Sequence, residues 1–108
     1  MIKIFTTDYS EHDEFYSENR GCRNDIYIKY LNRFYHINLY DTTRLIQDFE
    51  SAISEDGYYI NEPNIVIVKQ VTKNEITKTL NILMQQNYFD KIKSLDNEFV
   101  QKLNLTEF

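Results

Sequence analysis

Residues 25–40 constrain the fold more than any other part of the chain, because apolar and polar side chains alternate there through two runs rich in Tyr and Ile. Successive side chains of a β-strand point to opposite faces of a sheet, so this alternation predicts two strands. We place the turn between them at Asn32-Arg33, since Asn tolerates the left-handed backbone that a tight turn requires. The stretch is therefore predicted to be a β-hairpin.

The register of this hairpin follows from its hydrophobic pattern. The expected opposing pairs are Tyr30 with Tyr35, Ile28 with Ile37 and Ile26 with Leu39. One face of the hairpin is then wholly apolar, and a shift of one residue would mix the two faces. The opposite face carries side chains that we expect to meet water or a partner: Tyr27, Lys29, His36, Asn38 and Tyr40.

Two longer segments have helical periodicity. Asp41 is expected to cap a helix that runs to about residue 55 and ends at Asp56-Gly57. Its apolar residues share one face, which is typical of a helix packed on a core: Leu45, Ile46, Phe49, Ala52 and Ile53. Thr72 and Glu75 have the spacing of a capping box and predict a second helix. The buried side of this second helix is expected to consist of Ile76, Leu80, Leu83 and Met84.

The remaining segments are shorter. Ile2 and Ile4 predict a first strand, and the β-branched run of residues 64–68 predicts a central strand covered on both faces. Apolar residues at steps of three and four predict one more helix, broken near residues 94–96: Phe89, Ile92, Leu95, Phe99 and Leu103. The segment from Glu11 to Glu18 is expected to be a single acidic helix or an irregular loop.

The length and composition indicate one globular unit. A chain of 108 residues with 42% hydrophobic residues can bury a core without disulfides or a structural metal. The only cysteine, Cys22, excludes an internal disulfide and agrees with a reducing compartment. The order of elements predicts a single α+β domain spanning residues 1–108. Its sheet is expected to have about four strands, mainly antiparallel, with two to three helices packed on it.

The charge distribution is uneven. The net charge is −5, with −6 on residues 1–68 and +1 on residues 69–108. An acidic chain repels phosphate backbones, so we expect no direct binding to nucleic acid. No apolar run is long enough for a membrane span, and the first residues lack the apolar region of a signal peptide. We therefore expect a cytoplasmic protein that does not bind membranes.

Acidic residues and tyrosines occur together in the first two thirds of the chain. The chain has nine tyrosines, and Tyr offers a large contact area with a polar tip at protein interfaces. Carboxylates interleaved with tyrosines are expected of a surface that meets a basic protein. The predicted partner-binding residues are Glu11, Asp13, Glu14, Glu18, Tyr27, Tyr40, Asp48, Glu55 and Asp56.

Residues that could support catalysis are few. A pair of histidines beside a cation can act as general acid and base, and His12 and His36 with Lys29 and Arg33 are the candidates. Nothing in the sequence fixes the distance between the two histidines, so ordinary surface residues are the favoured interpretation. Asp8, Glu11 and His12 would share a helical face, but such acidic groupings often arise by chance. We predict no catalytic residue, no cofactor and no metal.

The pattern resembles small cytosolic immunity proteins of bacterial polymorphic and contact-dependent toxin systems. The resemblance rests on the acidic single domain, on the tyrosine-rich hairpin from Tyr27 to Tyr40, and on the strand-to-helix passage from Asn64 to Ile76. It implies a protein that binds a cognate toxin domain, often a nuclease with a basic face, and blocks its active site or substrate path.

Three hypotheses follow from these observations. The first is a non-catalytic immunity protein or antitoxin that neutralises a toxin domain, such as a nuclease, through an acidic, tyrosine-bearing surface. The second is a phage or mobile-element inhibitor that imitates nucleic acid with its carboxylates. The third is a small metal-independent hydrolase or nuclease that uses His12 and His36. The sequence leaves the oligomeric state and the strand order open.

Overall fold

A computed structural model describes residues 1–7, 20–60 and 64–108. The strands are β1 (Lys3–Thr7), β2 (Cys22–Tyr30), β3 (Arg33–Tyr40), β4 (Ile65–Ile67) and β5 (Leu105–Glu107). The helices are α1 (Thr42–Asp56), α2 (Lys73–Gln85) and α3 (Asn97–Gln101), and Tyr88–Asp90 forms one 3₁₀ turn. The predicted α+β class is confirmed.

In the described part of the chain, the sheet has five strands in the order β4-β3-β2-β1-β5 and is mixed, which corrects the prediction of about four mainly antiparallel strands. β3 and β4 run parallel because α1 connects them as a crossover, whereas the other neighbours are antiparallel. β5 is the additional strand. Its three residues follow directly on apolar residues of helical spacing, so the periodicity gave no sign of the change to a strand.

The hairpin of β2 and β3 is confirmed, with a register that differs from the predicted one by two residues. Its turn consists of Leu31 and Asn32, whose φ angles of 51° and 63° are those of a type I′ turn. The observed pairs are Tyr30 with Arg33, Ile28 with Tyr35 and Ile26 with Ile37. Because the side-chain period of a strand is two, the shift leaves every residue on its predicted face.

The core lies between one face of the sheet and α2. Ile26, Ile28, Ile37 and Leu39 of the hairpin are fully buried. From α2, Ile76 and Leu80 enter the core, and Leu83 and Met84 pack against it as predicted. Phe89 of the 3₁₀ turn completes this core and contacts the rings of Tyr30 and Tyr35. The helix begins where predicted, because the side chain of Thr72 accepts a hydrogen bond from the Glu75 amide.

α1 has the predicted ends but a different environment. The carboxylate of Asp41 caps its first turn, and Gly57 ends it with a left-handed φ of 80°. None of its residues is buried. Ile46, Phe49 and Ile53 are 48%, 49% and 42% exposed. The expectation that α1 packs on a core by its apolar face is therefore corrected: periodicity shows that residues share a face, and it does not show what covers that face.

The later elements also differ in part from the predictions. β4 is the edge strand of the sheet, with Ile67 exposed, so the predicted central strand covered on both faces is wrong. The predicted last helix is interrupted from Lys91 to Asp96 and leaves only the five residues of α3 as helix. The predicted acidic segment from Glu11 to Glu18 lies outside the described residues. Within the described ranges, no helix combines the length and the apolar character that crossing a membrane requires.

Candidate functional site

Four of the predicted partner-binding residues converge on one cavity of about 330 Å³. They come from the end of β3 and from the second half of α1: Tyr40, Asp48, Glu55 and Asp56. Ser51, Ala52, Tyr59 and Ile60 complete the lining. The cavity is open to the surface and combines three carboxylates with two phenol rings. We call it the acidic cavity.

Helical spacing explains how these residues come together. Asp48, Ala52 and Glu55 are separated by four and three residues, so they lie on one face of α1. The left-handed Gly57 then ends the helix. The ring of Tyr59 meets the ring of Phe49 edge-on at 5.7 Å. The cavity therefore lies between α1 and the segment that follows it.

The carboxylates of the acidic cavity differ in their partners. Asp48 accepts a hydrogen bond from the Nε of Arg44 at 3.0 Å, an i,i+4 pair on the helix surface. Burial lowers the pKa of Arg44, but this hydrogen bond and the nearby carboxylate outweigh it and raise the pKa overall. Within the described part of the chain, neither Glu55 nor Asp56 belongs to an ion pair. These two carboxylates are available to a cation from outside.

The first turn of α1 is fixed to the start of β2. The amide of Asp41 donates to the carbonyl oxygen of Gly21 at 2.8 Å, and its carboxylate accepts from the amide of Arg44. Gly21 has a φ of +75°, and a Cβ there would lie 2.7 Å from both carboxylate oxygens of Asp41. Only glycine fits this position. This contact was not predicted, although Gly21 is one of only two glycines in the chain and its position was a sign of it.

Ile46, Phe49 and Ile53 form an exposed apolar row on α1, which we call the α1 stripe. Their spacing of three and four residues aligns them along one side of the helix. At about 100° per residue, Glu50 and Asp56 lie on the two sides of this row, and both are exposed. The alignment of these three residues was predicted from their spacing, whereas their exposure was not predicted.

Tyr27 and Tyr40 lie on the sheet face opposite the main core and are 8% and 7% exposed. Tyr27 stacks on His36 with ring centroids 4.7 Å apart. Burial and the nearby carboxylate of Asp25 raise the pKa of Tyr27. The two tyrosines therefore offer little surface of their own, and their role in partner binding stays a prediction.

His36 is engaged within the sheet. Its Nε2 lies 2.6 Å from the carbonyl oxygen of Asn24. A carbonyl oxygen only accepts, so Nε2 donates in this contact. Asn24 belongs to the irregularity between Arg23 and Ile26, where the pairing of β2 with β3 shifts. This hydrogen bond links the side chain of His36 on β3 to the backbone of the bulge in β2.

A polar cluster at the same bulge joins two buried residues, Arg23 and Thr6, to the partly exposed carboxylate of Asp25. The guanidinium of Arg23 binds both carboxylate oxygens of Asp25 at 2.9 Å and donates to the hydroxyl of Thr6 at 3.1 Å. The Thr6 hydroxyl also donates to Asp25. The ring of Phe108 lies 5.2 Å from Arg23 and 5.4 Å from the ammonium of Lys73. This cluster ties β1, β2, α2 and the last residue together.

The pKa of Asp25 reports the balance of forces in this cluster. Burial raises the pKa, but hydrogen bonds from Arg23 and Thr6 and the charge of Arg23 outweigh burial and lower it below the usual 3.8.

Several predicted residues lie outside the described residues: Glu11, Asp13, Glu14 and Glu18, together with His12. The distance from His12 to His36 is therefore not described. Cys22 is a free thiol and is buried. Among residues 1–7, 20–60 and 64–108, no three His, Cys, Asp or Glu side chains are grouped so that they could hold a metal ion.

Comparison of the chain with protein-family models, with curated protein sequences and with solved structures found no match.

Proposed function

We propose that this protein is a non-catalytic inhibitor of the immunity-protein type, an antitoxin that binds a toxin domain with a basic surface. The observation that carries the proposal is the acidic cavity, where three carboxylates of an exposed helix meet two tyrosines, one before the helix and one after it. Carboxylates supply electrostatic steering, and the half-buried ring of Tyr59 supplies contact area.

The charge on α1 supports a basic partner. The helix has four acidic residues and one basic residue, and the base is already paired with Asp48. Glu50, Glu55 and Asp56 are exposed. A nuclease domain presents positive charge to its nucleic-acid substrate, so a bound acidic helix would both be attracted to that face and cover it. Neutralisation then requires one inhibitor per toxin and no chemical step.

The cellular setting of this proposal is the bacterial cytoplasm, where such an inhibitor meets its toxin. The free thiol of Cys22 agrees with a reducing compartment.

The test is co-expression with a candidate toxin domain, taken from the neighbouring upstream gene if that gene encodes a large secreted protein with a variable C-terminal domain. The wild-type protein is expected to restore growth and to co-purify with that domain. The double reversal Glu55→Lys/Asp56→Lys is expected to reduce protection and to slow association, because it places positive charge at the cavity. The matched control is Asp90→Lys/Glu98→Lys, which reverses two exposed acids on other elements. Equal protection by both variants would contradict the role of the cavity.

The nucleic-acid mimic remains the second candidate, because the exposed carboxylates of α1 also suit it. It predicts that the protein inhibits several unrelated DNA-binding proteins and that DNA competes with each. Inhibition of a single toxin, with no effect on the others, favours the immunity protein.

A further inference from the structure

The α1 stripe is an exposed apolar row that a regular helix holds in place. Its three side chains are each more than two fifths exposed and occupy positions i, i+3 and i+7 of a capped, fifteen-residue helix. Because none of its residues is buried, α1 gains little stability from packing within this chain. The same spacing is that of amphipathic helices which insert into apolar grooves of other proteins.

The charges beside the stripe indicate what kind of surface covers it. Glu50 and Asp56 lie on its two sides, and α1 carries no lysine. In a symmetric dimer built on this helix, the same carboxylates would face each other, which costs free energy. Residues 8–19 contain five acidic residues and no Lys or Arg, so their charge does not complement that of Glu50 and Asp56. Charge complementarity therefore favours a different, basic molecule.

We propose that α1 is the inserted element of the complex: it lies in an apolar groove of the partner, and basic side chains of the partner rim that groove. Ile46, Phe49 and Ile53 fill the groove, while Glu50 and Asp56 meet the basic rim. The acidic cavity, on an adjoining side of α1, receives further basic side chains. This inference rests on the proposed function and specifies which surface of the inhibitor enters the toxin domain.

The chain offers a closely matched control for this surface. Phe49 and Phe99 are 49% and 48% exposed, and Ile53 and Ile82 are 42% and 43% exposed. Each pair has the same side chain, and all four residues lie in helices. The stripe variant is Phe49→Ala/Ile53→Ala, and the control variant is Phe99→Ala/Ile82→Ala. Alanine keeps the helical propensity in both cases.

The experiment uses calorimetry to measure the dissociation constant of each variant for the candidate toxin domain of the co-expression test. The stripe variant is expected to bind at least about tenfold more weakly, mostly through faster dissociation, since truncated apolar anchors dominate such losses. The control variant is expected to stay within about twofold of the wild type. In wild-type protein, amide hydrogen exchange within residues 42–56 is expected to slow on complex formation, a result that needs no variant.

The contrary outcomes are separable. If the wild-type complex forms but the two variants bind alike, or if the amides of α1 exchange at unchanged rates, the inserted-helix proposal is wrong and the inhibitor function stands. A wild-type dimer in light scattering that the stripe variant abolishes would show that a second copy covers the stripe. If the wild-type protein forms no complex, both proposals fail.

Discussion

α1 and α2 are amphipathic helices of similar length that begin with side-chain caps, yet they use their apolar faces differently. α2 buries Ile76 and Leu80 fully against the hairpin, whereas the equivalent row of α1 is exposed. Sequence periodicity predicted both helices and their apolar faces with equal strength. The difference therefore arises from tertiary structure: α2 lies over the apolar face of the sheet, and α1 is the crossover that connects β3 to the edge strand β4. The apolar face of an amphipathic helix can pack against the core of its own protein or bind a partner.

The largest expected effect is a difference in the free energy of unfolding between a variant of α2 and a variant of α1. Leu80→Ala removes a fully buried side chain and is expected to lower the free energy of unfolding by about 3 kcal/mol. Ile53→Ala, on the exposed face of α1, is expected to change it by less than about 0.5 kcal/mol. Urea denaturation of both variants measures the contrast. A loss of similar size for Ile53→Ala would show that the stripe belongs to a core.

The next effect concerns the attachment of α1. Gly21→Ala is expected to cost about 2 kcal/mol, because the new Cβ would enter the Asp41 carboxylate in addition to the strain of a positive φ. Gly57→Ala has the same backbone strain but nothing within 4 Å of the new Cβ, so a cost of about 1 kcal/mol is expected. Thermal unfolding of the two variants measures the difference. Equal losses would mean that the Asp41 carboxylate moves aside freely.

A smaller effect is expected to be equal in the two helices. Asp41→Ala and Thr72→Ala each remove a side chain that caps a helix, and each is expected to cost about 1 kcal/mol. Capping is local, so it does not depend on whether the rest of the helix is buried. Circular dichroism during denaturation gives both values. A much smaller cost at Asp41 would indicate that α1 forms independently of the remaining structure.

The smallest effect is a pH dependence on the α2 side of the sheet. The pKa of Asp25 is lowered in the fold, so its contribution to stability is complete above the unfolded pKa of 3.8. Stability is lost as the pH falls from there through the folded pKa, because the unfolded chain takes up the proton first. The side chain of Asp25 is 33% exposed, so solvent screens the effect.

Urea midpoints between about pH 5 and about pH 2 measure this loss. Asp25→Asn is the control, and it is expected to reduce the slope below pH 3.8. An unchanged slope would show that other carboxylates account for the acid sensitivity.

The local parts of the fold were predictable from the sequence. The alternation of residues 25–40 identified the hairpin and the correct faces, and Asp41 and Thr72 marked the helix starts. The exact register was not predictable, because a shift of two residues preserves the pattern. The edge position of β4 and the existence of β5 depend on which strands become neighbours, and no local pattern encodes that.

The candidate site was predictable in composition but not in arrangement. Asp48, Glu55 and Asp56 were identified from charge, and their helical spacing already placed two of them on one face. The contribution of Tyr59 and Ile60 depends on the path of the chain after Gly57, which ends α1. The exposure of Ile46 and Phe49 could not be inferred, since it depends on what does not pack against them.

In the sequence, α1 connects two strands that are parallel neighbours in the sheet, and this connection has a thermodynamic consequence. The segment that leaves β3 and returns to β4 is anchored at both of its ends, and its first turn is also bonded to Gly21. A ligand that recognised this helix would find it already formed. Association would then immobilise only a few side chains, so little of the contact energy would be offset by lost conformational entropy.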